Sequence, residues 1–108
     1  MNKNFEAICE NLGWSINECR DSVELSQFSP AGEDFLMVIN CNPDNDEEFL
    51  REIKGYYEDF DPEEHATMWV EAKREGVRGV PGLRILIDDA DRINDMIREL
   101  VVALDSVD

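Results

Sequence analysis

Apolar positions along this chain recur with two different periods, and the switches between them divide it into elements. From residue 2 to residue 12, Phe5, Ile8, Cys9 and Leu12 fall at i, i+3, i+4 and i+7, one face of a helix. Gly13 follows at the position where a helix commonly ends. The period then shortens to two. Trp14 to Arg20 and Val23 to Phe28 alternate, with Trp14 and Ile16 on one face and Val23 and Leu25 on another, which predicts a hairpin. Ser29 to Asp34 reads as a turn. Phe35 to Ile39 is apolar on both faces, so the pattern predicts a strand covered on both sides or at the middle of the sheet.

Beyond the break at Asn42-Pro43-Asp44-Asn45 the spacing is helical throughout. Phe49, Ile53, Tyr56 and Phe60 mark a second helix from Asp46 to Phe60. Asp61-Pro62-Glu63-Glu64 supplies an N-cap, a proline at the first helical position and acids in the first turn of a third, which carries Met68, Trp69 and Ala72 and stops near Gly76. A glycine-bearing loop to Gly82 leads into the last helix, Leu83 to Leu104. There Leu86, Ala90, Ile93, Ile97, Leu100, Val101 and Leu104 span about 100° of arc. The order α-β-β-β-α-α-α predicts an α+β fold: an N-terminal helix, a three-stranded antiparallel sheet, then three helices packed on it. At 108 residues, a single domain over 1–108 is expected.

Charge changes this picture more than composition does. Twenty-six acidic residues against ten Lys and Arg leave a net charge of −16. Such a surface repels phosphate backbones and anionic lipid, so neither direct nucleic-acid binding nor membrane binding is expected. No stretch is long and apolar enough for a secretion signal or a membrane span, and Cys9, Cys19 and Cys41 lack zinc-ligand spacing. Reduced thiols in a cytoplasmic protein are the expectation.

Candidate chemistry narrows the functional classes further. Asp44, Asp46 and Glu48 alternate like calcium ligands, yet an EF-hand loop would place Gly at the position held by Phe49 and Glu at the position of Gly55. His65 is the sole histidine, which removes HExxH and His-rich metal sites, and it reads as a helix-surface or half-buried residue. The loop from Gly76 to Gly82 has neither P-loop nor GxGxxG spacing. No catalytic, cofactor-binding or metal-ligating residue is assigned, and a non-enzymatic role is expected.

The acids are unevenly placed. Asp44 to Glu64 holds ten carboxylates and two bases, net −8. Glu47–Arg51 and Lys54–Glu58 stand at i, i+4 and are expected to pair. Glu48, Glu52 and Asp59 form an uncompensated row on the solvent side, continued by Asp61 and Glu63. Asp88, Asp91, Asp95 and Glu99 form a second row on the last helix, flanked by Arg92 and Arg98. The one basic island is Lys73, Arg74, Arg78 and Arg84, which reads as helix C-terminal charge complementing a dipole or, functionally, as a contact loop for an acidic partner or for a second copy. The expected function is an acidic module that binds another protein. A second expectation is imitation of DNA, occupying the basic surface of a nucleic-acid-binding partner. In size and charge the chain is similar to small acidic antirestriction and anti-CRISPR proteins as a class. That similarity assigns no residues.

Overall fold

The computed structural model describes residues 1–74 and 83–106, without the side chains of residues 70, 72–74 and 83. Its elements follow the predicted order: α1 (Lys3–Asn11), β1 (Ser15–Glu18), β2 (Val23–Phe28), β3 (Asp34–Ile39), α2 (Asp46–Asp59), α3 (Pro62–Arg74) and α4 (Leu83–Asp105). The strands form one antiparallel sheet in the order β1-β2-β3.

Local chemistry fixes the ends of the elements. Asn2 caps α1 by accepting from the Phe5 N–H at 2.7 Å, and its Nδ2 donates to Asp46 at 2.8 Å, tying the starts of α1 and α2 together. At the other end of α1, Gly13 adopts φ +91°. The Trp14 N–H reaches back to the Cys9 carbonyl and the Gly13 N–H to the Glu10 carbonyl, the double closure of a Schellman motif. A Cβ at Gly13 would stand 2.9 Å from the Gln27 side chain, so conformation and space both require glycine. Asn45 caps α2 through the Glu48 N–H, and Asp61 caps α3 through the N–H groups of Glu63 and Glu64.

The core lies between the sheet and α1, α2 and α4. Val23 and Leu25 of β2 and Phe35, Met37 and Ile39 of β3 point inward, against Phe5 and Cys9 of α1, Phe49 and Ile53 of α2, and Ile93, Ile97, Leu100 and Leu104 of α4. Trp14 is buried edge-on to Phe35, its Nε1 without a hydrogen-bond partner. Tyr56 and Tyr57 are half-buried against the same cluster. A smaller cluster of Ala66, Leu86 and Ala90, flanked by Trp69 and Ile87, holds α3 to α4. Residues of α4 serve both clusters, which is why its apolar seam runs the full length of the helix.

Strand β3 departs from the pattern-based expectation. It is an edge strand, paired with β2 alone, and only its inward face is covered. Leu36 and Val38 are 48% and 45% exposed, and Phe28 on β2 is 69% exposed. The register sets Phe28 opposite Asp34, Leu36 beside Ser26 and Val38 beside Glu24, so the three apolar residues follow one another across the open face. A fully apolar run shows that a strand is hydrophobic on two faces. It does not show that the second face is covered.

A buried carboxylate fastens the turn between β2 and β3. Asp89 of α4 is 3% exposed and accepts from the Ser29 hydroxyl at 2.6 Å and the Ala31 N–H at 2.9 Å. Ser29 Oγ in turn accepts from the Glu33 N–H at 3.0 Å. Asp89→Ala is expected to lower stability by about 2–3 kcal/mol, and Ser29→Ala by roughly 1–2 kcal/mol, because each strands a buried partner. Urea denaturation measures both.

Candidate functional site

A tight corner between α2 and α3 shapes a cleft. Phe60 leaves the helical region at φ −71°, ψ 120°, and Pro62, which disfavours a helical residue before it, starts α3 two residues later. The corner brings Tyr56, Phe60, His65 and Met68 around a cleft of about 330 Å³, with Asp59, Asp61 and Glu64 completing its wall. Tyr56 and Phe60 stack at 6.4 Å with an interplanar angle of 21°. Met68 is 60% exposed.

His65 is positioned from three sides. Its ring stands edge-on to Phe35 at 5.4 Å and tilted on Phe60 at 5.3 Å. Its Nε2 lies 2.9 and 3.0 Å from the two carboxylate oxygens of Glu33. Through Ser29, Glu33 belongs to the same hydrogen-bonded chain as Asp89, so α4 holds the turn, the turn holds Glu33, and Glu33 holds the first turn of α3. Burial raises the Tyr56 phenol above its usual pKa, and the nearby negative charge of Glu33 adds to the effect.

A second cleft of about 230 Å³ shares two lining residues with the first. Val38, Ile39 and Asn40 of the edge strand form one wall, and Glu52, Gly55, Tyr56 and Asp59 of α2 form the other. Tyr56 and Asp59 line both clefts. The α2 residues share one helix face, since they recur at three- and four-residue intervals. Gly55 stands well inside α2, where glycine costs about 1 kcal/mol relative to alanine. A Cβ there would meet nothing within 4 Å, and its φ is not positive.

The structure gathers part of the predicted acidic surface and disperses the rest. Glu52, Asp59 and Asp61 come together with Glu64 along the two clefts that share Tyr56 and Asp59. Glu48 leaves the row: it is half-buried, and its carboxylate accepts from the Asn42 N–H at 2.8 Å. Glu63 is exposed. Asp88, Asp91, Asp95 and Glu99 are all exposed on α4, with Asp95 paired to Arg98 at 3.0 Å. Asp88 lines a separate cleft with Pro30, Ala31, Ile85, Asp89 and Arg92.

The expected i, i+4 pairs do not form. Lys54 crosses to Asp105 of α4 at 2.7 Å, and Arg51 leans toward Glu52 at 3.8 Å. A cross-helix carboxylate outcompetes the intrahelical one for Lys54. Arg84 is exposed, whereas Arg78 and the side chains of Lys73 and Arg74 lie outside the described residues. Among the described residues, no group of three or more His, Cys, Asp or Glu is placed to hold a metal ion. Nor is any helix among the described residues long and apolar enough to cross a membrane.

Sequence reading missed the apolar half of this surface: Phe28, Leu36, Val38, Tyr56, Phe60 and Met68. A signal was present in Leu36 and Val38, a second apolar face on a chain with little mass to cover it. Comparison with protein-family models, curated proteins and solved structures gave no match.

All three thiols are free and sit above the usual cysteine pKa. Burial pushes Cys9 up to about 12, burial also raises Cys41, and the hydrogen bond to Glu24 raises Cys19. For Cys9 the sign is fixed. The unfolded chain releases the proton near the ordinary value of 9.0 while the native state keeps it to about 12. Stability from this group is therefore complete below pH 9 and falls as pH rises through that window, by about 1 kcal/mol per pH unit. Cys9→Ala should be less stable than wild type at pH 8, and the gap should narrow by pH 10.5 in urea titrations.

Proposed function

We propose that this chain is a non-enzymatic module that binds another protein through the surface where the open sheet face runs into the α2–α3 clefts. One observation carries the reading. Val38 belongs both to the exposed strip with Phe28 and Leu36 and to the wall of a cleft that shares Tyr56 with the one lined by Met68. An apolar path of this kind, rimmed by charge, is characteristic of interaction sites. Its rim is Glu52, Asp59, Asp61 and Glu64, and among the described residues no Lys or Arg lines either cleft. The rim therefore selects a basic partner and speeds the encounter, while the apolar path supplies the affinity that outlasts salt.

Imitation of a nucleic acid is the second reading, and the α4 row favours it. Asp88, Asp91, Asp95 and Glu99 are exposed along roughly 16 Å of helix. Arg98 neutralises one of the four, and the exposed apolar residues of α4, Ile85 and Val102, stand singly at the two ends of the row, whereas Phe28, Leu36 and Val38 follow one another across the sheet. The protein-binding reading ranks first for that reason.

Two variants separate the readings in a pull-down from the native host at low and high salt. Leu36→Ser with Val38→Ser should reduce partner recovery tenfold or more at either salt concentration. Asp88→Asn, Asp91→Asn and Glu99→Gln together should leave recovery within about twofold at high salt. The reverse pattern, with the partner released from wild type by moderate salt and competed by duplex DNA, would replace protein binding by mimicry.

A further inference from the structure

We infer that the groove between the outer edge of β3 and α2 receives an extended, lysine- or arginine-bearing segment of the partner protein, which adds to the sheet as a fourth strand. This rests on the protein-binding reading and specifies its occupant. Among the described residues the sheet ends at β3, whose partner is β2 alone, and none of them forms a strand on its other edge. At Val38, Ile39 and Asn40 that edge forms a wall of the cleft, with α2 opposite. A strand edge facing a helix across an open lane is the arrangement in which a peptide obtains main-chain hydrogen bonds from one side and side-chain contacts from the other.

Gly55 is the second argument. Neither a positive φ nor a close neighbour requires glycine at this point of α2. What the missing side chain does provide is width in the lane beside Val38–Asn40. A residue that weakens its own helix and leaves a groove open is expected where the groove is occupied by something else.

Charge identifies the occupant. Glu52 and Asp59 stand on the helix wall, Asp61 and Glu64 line the neighbouring cleft that shares Tyr56, and no Lys or Arg among the described residues lines either. A segment alternating basic and apolar residues would set cations against these carboxylates and apolar groups against Val38 and Tyr56. A second copy is disfavoured, because two chains of net charge −16 repel.

The test uses the full chain and a fluorescein-labelled nine-residue peptide alternating lysine and valine. Fluorescence anisotropy gives affinity, and backbone amide shifts give location. The peptide should shift amides of residues 36–40 and 52–59. Gly55→Leu should weaken it at least tenfold, and Gly55→Ala should raise Tm by a few degrees, which shows that the helix tolerates a side chain there. N-methylation of alternate peptide residues should abolish binding. The inference is overturned if Gly55→Leu, with an unchanged melting transition, binds as wild type does. It is equally overturned if the shifts fall on α4, if a glutamate–valine peptide binds as well, if no binding occurs at millimolar peptide, or if dilution of the chain alone moves the same amides. Host-partner capture lost in the Leu36/Val38 variant but intact in Gly55→Leu would retain the protein-binding reading and remove strand addition.

Discussion

A three-stranded sheet has two faces and two edges, and the helices of this chain cover one face. That constraint organises the molecule. Val23, Leu25, Phe35, Met37 and Ile39 on the inner face are closed over by α1, α2 and α4, and α3 packs on α4 in a smaller cluster. With the helices committed to one side, Phe28, Leu36 and Val38 stay in solvent. Burying such side chains is worth about 1.5–3 kcal/mol each, so leaving three exposed forgoes stability that a covering element would have supplied. The exposed strip is thus a direct consequence of how the layers are built.

Polar anchoring does what apolar packing cannot at the rim of this core. The β2–β3 turn carries no large apolar residue into the interior, and it is held by Asp89 through Ser29 and Ala31. The same turn places Glu33 against His65, fixing where α3 starts relative to the sheet. The cleft lined by Tyr56, Phe60, His65 and Met68 therefore depends on a carboxylate that lies outside it. Asp89 differs in role from its neighbours on α4: Asp88 and Asp91 are solvated, while Asp89 is enclosed and fully engaged.

Element types and their order were legible because period and capping chemistry agree along the chain. Asn2, Gly13, Asn45, Asp61 and Pro62 mark their boundaries in ways that local geometry dictates. The seam of α4 was legible for the same reason. Properties set by tertiary neighbours were not. Asp89 sits among similar acids, and nothing in its sequence context separates the buried one. Lys54 pairs across to α4 because Asp105 is closer than Glu58, a fact of packing. Leu36 and Val38 look like core residues because periodicity reports hydrophobicity, and coverage depends on how many elements remain to provide it. The acidic half of the candidate surface was partly visible at Glu52, Asp59 and Asp61. Its apolar half was hidden by the habit of assigning apolar residues to the interior.

An exposed apolar edge strand is ordinarily a hazard, since its free backbone groups can template pairing with any similar chain. Acids along the edge change which chains qualify. Glu52 and Asp59 beside Val38–Asn40 oppose a second copy carrying the same charges at the same places, and they attract a segment of opposite sign. On the proposed reading, one set of charges acts against self-pairing and in favour of a basic partner, with no need for a lysine or proline to block the strand. Large net charge alone would give solubility. Charge set against an unpaired strand and a helix with a glycine gap would, on that reading, give selectivity as well, and this placement is what connects the composition of the chain to the function proposed for it.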